Sequence, residues 1–199
     1  MSGEQDLSDL ESGWTSTDLG GVVSTDLGGD VGDPQEALEA QADGVVASLS
    51  ELEELRPEVW SQLEQPERLE VLQDVESRAA EVQGRPAVPI TSREMEPGCF
   101  GGYARGEGIA LSEEHLMSDD IGEITDTVIH EGRHAYQDHA IQNPGFAPDE
   151  GLVATWRENW DSYLSAEEYG QELYESQPIE ADAWGYSQRI RSALFETGE

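Results

Sequence analysis

The stretch Thr127-Val128-Ile129-His130-Glu131-Gly132-Arg133-His134-Ala135-Tyr136-Gln137 carries two histidines four residues apart. On a helix that spacing leaves about 40° of rotation and one turn of rise between them, so both imidazoles reach a single metal ion. Glu131 falls between them, near enough to act on water at the metal and turned away from ligation. A Lewis acid, a water and an adjacent base are what zinc-dependent peptide hydrolysis needs. The 199 residues contain only four histidines, and two of them lie here.

Working outward, the motif sits in a predicted helix. Ser118 to Asp120 offer caps, Asn143-Pro144 closes it at about Gln142, and Ile121, Ile124, Val128 and Ala135 form its buried stripe. Just upstream, Cys99 to Ala104 and Ile109 to Leu111 flank Arg105-Gly106-Glu107-Gly108, the pattern of a β-hairpin with a four-residue loop. Asp33-Pro34 opens a helix carrying Leu38, Val45, Leu49 and Leu52, and Pro57 and Pro66 each begin another. Leu69, Leu72, Val75, Ala79 and Val82 line the last of these, which Gly84 and Pro86 stop. Downstream, a helix from Leu152 bears Trp156 and Trp160. A final one after Pro178 presents Ile179, Ala183, Ile190 and Leu194. The expectation is a mostly helical α+β domain over 34–199, with a helical scaffold at 34–85 and the hairpin and metal-site helices at 97–199. Residues 1–33, where Ser16-Thr17-Asp18-Leu19-Gly20-Gly21 recurs as Ser24-Thr25-Asp26-Leu27-Gly28-Gly29, read as a disordered acidic tail.

A tetrahedral catalytic zinc takes three protein ligands and leaves one position open. Cys99, the only cysteine, lies upstream, His115 precedes the helix, and His139 is turned roughly half a turn from His130. A downstream carboxylate remains. Glu180, at the start of the last helix, is best placed, because Ala183 one turn on lets that helix approach closely. Asp182 is the rival ligand or a supporting group, and Glu172 and Glu175 fall in a polar stretch without strong periodicity.

The motif run followed by Gln177-Pro178-Ile179-Glu180-Ala181-Asp182-Ala183 resembles the gluzincin-type zinc metallopeptidases. It is similar in particular to the small metallopeptidase domains of bacterial polymorphic-toxin-related proteins, over about 66–195. The resemblance implies a minimal zincin-like domain. Zn2+ would be held by His130, His134 and Glu180, with Glu131 as the base. It also implies an edge strand just before the metal helix, so that Ile109, Ala110 and Leu111 would pair with an extended peptide or protein substrate. Many members carry an aspartate four residues after the ligand glutamate to orient a histidine; here that position is Trp184. Asp182 and Gln137 are then the candidates for that support. A donor to the developing oxyanion is expected among Tyr163, Tyr169, Tyr174 and Tyr186, and the sequence does not choose. The competing reading is a non-catalytic metal-binding or partner-binding acidic module. Cys99 as a nucleophile is disfavoured by the lack of a basic neighbour.

Composition narrows the setting. The formal net charge is −34, from 44 acidic residues against 10 basic ones, all of them arginine. This acidity runs the length of the chain and resembles that of proteins from salt-in halophiles, in which molar salt screens the repulsion. It excludes a basic nucleic-acid footprint. With no bilayer-length apolar run and no secretory leader, the expectation is a soluble cytoplasmic protein that binds no membrane. A single cysteine excludes an internal disulfide framework.

Overall fold

The computed structural model describes residues 34–196. The N-terminal tail with its repeat, and the Asp33 cap, lie outside the described residues. The chain begins with α1 (Pro34–Leu49), a 3-10 turn (Glu53–Leu55), α2 (Pro57–Trp60) and α3 (Gln65–Gln83). Three short strands follow, β1 (Ile90–Arg93), β2 (Gly101–Ala104) and β3 (Gly108–Ser112), and then α4 (Glu113–Leu116). Helices α5 (Ile121–Gln142), α6 (Glu150–Asp161), α7 (Ala166–Tyr169), α8 (Gln171–Glu175) and α9 (Pro178–Phe195) complete the described fold. It is an α+β fold, mostly helical, with one small mixed sheet. Among the described residues no helix is long and apolar enough to cross a membrane.

The punctuation residues act where chain chemistry places them. Pro66 occupies the first turn of α3, Glu64 and Glu67 form a reciprocal capping box, and Gly84 ends the helix at φ +71°. Asp120 caps α5 by accepting from the Glu123 N–H at 3.0 Å. Of the 22 residues of α5, 17 are buried, so this helix is wrapped on all sides and is the axis of the fold. Helix α9 lies antiparallel along it: Gln137 bonds the Ile179 carbonyl at one end, and Phe195 meets Gly122 at the other. The larger core joins α1, α3, the sheet and the first half of α5 around Leu72, Val75, Ile124 and Val128. A smaller one gathers Tyr136, Val153, Trp156 and Ile179.

The sheet departs from the sequence reading. The hairpin forms, with β2 antiparallel to β3, but β1 pairs with β3 in parallel on its other side. The order β1-β3-β2 makes Ile109, Ala110 and Leu111 the central strand, its backbone engaged on both sides. They are therefore not the edge. The edge facing α5 is β2, pressed so close to that helix that a Cβ on Gly101 would lie 2.9 Å from Thr127 Cγ2.

Candidate metal centre

His130 and His134, one turn apart on α5, and Glu180, in the first turn of α9, converge in the interior. The two Nε2 atoms are 3.1 Å apart. Glu180 Oε2 lies 3.3 Å from His130 Nε2, and Oε1 lies 3.4 Å from His134 Nε2. A tetrahedral ion with nitrogen and oxygen donors at 2.0–2.1 Å spaces its donors about 3.3 Å apart, so the triad fits such an ion. A second observation agrees: Glu180 is fully buried, yet its Oε2 has no hydrogen-bond partner. Nature rarely leaves a buried carboxylate oxygen so without reason. Among the described residues these three form the one group of ligating side chains close enough to hold a metal.

The electrostatics express the same convergence. Burial pushes the Glu180 carboxyl up, but the His130 and His134 imidazoles beside it outweigh that and hold the group well below the usual carboxylate range. Burial disfavours a charged His134, yet Glu180 and Glu131 raise its pKa to about 9.

Support for His134 comes from the two residues that sequence left as alternatives, acting in series. His134 Nδ1 donates to Gln137 Oε1 at 2.8 Å, which leaves Nε2 as the ring nitrogen that faces Glu180. Gln137 is oriented in turn by donating to Asp182 Oδ2 at 2.7 Å and to the Ile179 carbonyl. Asp182 is not a ligand. It pairs with the fully buried Arg133 through two bonds of 2.8 and 3.0 Å. Trp184, at the position where the resemblance leads one to expect an aspartate, packs on the His130 ring with centroids 4.3 Å apart, and His130 Nδ1 has no partner.

A cavity of about 380 Å³ opens beside the triad, lined by Glu131, His134 and Glu180 with Gly102, Tyr103 and Trp160 among the rest. Of the four candidate tyrosines, Tyr163 and Tyr174 line it. The Tyr163 hydroxyl donates to Glu180 Oε1 at 2.5 Å, and burial together with that bond pushes its pKa above the ordinary phenol range, so it stays protonated. Tyr169 is exposed elsewhere, and Tyr186 accepts from Gln83 and stacks under Arg133. Tyr103, which sequence reasoning did not single out, is fixed by donating to Asp138 Oδ2 at 2.9 Å, and Arg105 ion-pairs with the same carboxylate. Asp138 lies one turn after His134, a spacing that was readable, but its partners across the hairpin were not.

The remaining histidines stay outside the cluster. His139 packs on Phe146 at the end of α5. His115 is buried with Nε2 3.0 Å from Thr127 Oγ1, and burial lowers its pKa, with Glu123 and Asp120 opposing. An unfolded histidine titrates near 6.5, so the neutral His115 contributes stability that is whole above about that pH. It is lost as pH falls from there through the lowered folded value. Chemical denaturation of wild type and His115→Gln at pH 7 and 5 should show the smaller acid loss in the variant; equal losses would contradict this.

Compared with protein-family models, curated proteins and solved structures, the chain matches none. The reading therefore rests on residues and geometry.

Proposed function

We propose that the protein is a zinc-dependent metallopeptidase of the gluzincin type. The observation that carries this is the meeting of His130, His134 and Glu180 with donor separations of 3.1 to 3.4 Å at the floor of a cavity that Glu131 also lines. The three would hold the ion, and when bound it supplies Lewis acidity that polarises a carbonyl and acidifies water. Glu131 takes the proton from the attacking water and delivers it to the leaving amine. Tyr163 and Tyr174 stand as donors toward the oxygen on which negative charge develops. Gln137 holds His134 in the tautomer that presents Nε2.

The substrate-pairing role moves from Ile109–Leu111 to the edge strand β2. A Cβ on Gly102 would meet nothing within 4 Å, so its open side lets an extended backbone come close to the cavity. Trp160, Tyr103 and Ile179 give the cavity an apolar wall for a side chain of that peptide.

Chelation tests the reading. Hydrolysis of a mixed peptide library should vanish on dialysis against 1,10-phenanthroline and return with one equivalent of Zn2+. Cleavage that survives complete metal removal would contradict it.

A further inference from the structure

Gln177 caps the start of α9 three residues before Glu180, and it is 5% exposed. A primary amide has two N–H donors and two acceptor lone pairs. All four are used here. Nε2 donates to the Leu164 carbonyl at 2.8 Å and to the Tyr174 carbonyl at 3.0 Å. Oε1 accepts from the Leu164 N–H at 2.7 Å and from Asn159 Nδ2 at 3.1 Å. Asn159 Oδ1 then accepts from the Ile179 N–H at 3.0 Å, which closes the network on α9.

Leu164 is thus gripped at both its N–H and its C=O, as a neighbouring strand would grip it. The segment so held is otherwise poorly anchored: Ser162, Tyr163 and Ser165 are exposed, and Leu164 is only partly buried. A loop this exposed tolerates movement in most folds. What the clamp does fix is the next side chain back, because the Tyr163 hydroxyl reaches Glu180 from that loop. The same amide anchors the backbone of Tyr174, whose ring stands edge-on to Tyr163 with centroids 6.1 Å apart.

We propose that Gln177 is a positioning residue that locks Tyr163, and Tyr174 behind it, onto the metal centre, so that the Tyr163 phenol, which donates to Glu180 at rest, has only to turn its one O–H to serve the oxyanion. This rests on the metallopeptidase reading for its kinetic consequence, but its geometric content stands independently. A hydrogen-bond donor stabilises a transition state most when its heavy atom is already in place as charge develops. The Tyr163 phenol sits on an exposed loop, and Gln177 removes that freedom.

The test uses Tyr163→Phe, Gln177→Met, Gln177→Glu and the Tyr163→Phe/Gln177→Met double variant of the full chain. Wild type and the Gln177 variants are also prepared with 3-fluorotyrosine, Tyr163→Phe serving to assign the 19F resonance. Gln177→Glu keeps the acceptor for the Leu164 N–H and sets a carboxylate oxygen against the Leu164 and Tyr174 carbonyls, so it releases the donor side alone and supplies a second variant should Gln177→Met fold poorly. The expected result is a shifted and broadened Tyr163 resonance in both Gln177 variants, with zinc content unchanged. Tyr163→Phe should lower kcat by roughly a hundredfold. Gln177→Met should lower it by about tenfold or more with KM nearly constant, and should cost nothing further in the double variant. A Tyr163 resonance that does not move, or kcat losses that multiply in the double variant, would overturn the proposal. Absence of any wild-type peptide hydrolysis would sink the metallopeptidase reading instead, and the 19F resonance would then decide the positioning role alone.

Discussion

Replacing Glu131 by glutamine should leave zinc bound and lower kcat for peptide cleavage by about a hundredfold to ten-thousandfold. Glu131 lines the cavity beside His134 and Glu180 without being one of the three converging ligands. Glutamine keeps the volume and the hydrogen-bonding atoms and loses the ability to accept and carry a proton. The measurement is a steady-state assay on protein whose metal content has been verified by elemental analysis. Loss of hydrolysis with full zinc separates the enzyme from a metal-binding module, for which Glu131 would have no function. Unchanged hydrolysis in the variant would remove Glu131 from the mechanism.

A second large effect is expected from a buried ion pair that packs against α5 at Gly132. Arg85 and Glu76 form an ion pair whose side chains are both 1% exposed, with contacts of 2.6 and 2.9 Å. Glu76 also accepts from the Val88 N–H, and Arg85 donates to Gln83. The pair sits against α5 so tightly that a Cβ on Gly132 would lie 2.8 Å from Glu76 Oε2. Gly132 is accepted within a helix because nothing larger fits there, despite a cost of about 1 kcal/mol relative to alanine. Removing one partner of a buried pair strands the other charge, and Arg85→Met should cost about 3–5 kcal/mol. For a domain of this size that corresponds to a Tm lower by roughly 10 °C or more, read by calorimetry. The double variant Glu76→Leu/Arg85→Met should recover most of the loss, since no charge is left buried without a partner. A Tm unchanged in Arg85→Met would show that water reaches the pair.

What sequence could reveal follows the range of the physics. The helix starts at Pro34, Pro66 and Pro178, the stop at Gly84 and the Asp120 cap are local chemistry, and they were readable within a few residues. The two histidines are likewise local, and the small residue Ala183 after Glu180 signalled a close helix crossing. Strand β1 was not legible: Ile90–Arg93 is four residues long and pairs in parallel with a strand nineteen positions later. The resemblance implies an edge at Ile109–Leu111, and no signal in the sequence announces the strand that pairs with it there. Buried charge was the other blind spot. Glu76 follows Val75 on the face of α3 that also carries Leu72 and Ala79, a spacing that hinted at burial, but its partner Arg85 lies beyond the helix end. Nothing in the motif marks Arg133 for burial, yet it is wholly buried among Tyr136, Trp156 and Tyr186 and pairs with Asp182. Gln177 and Tyr163 are visible as residues, whereas the bonds that join them to Glu180 exist only once the loop folds back.

The most direct test of the central claim is a zinc titration of wild type beside Glu180→Ala, each checked for an intact fold by circular dichroism. Three ligands at one ion predict one equivalent bound tightly by wild type and an affinity lower by at least about tenfold in the variant. A Glu180→Ala protein that holds one equivalent as tightly as wild type would show that the carboxylate of α9 is not a ligand.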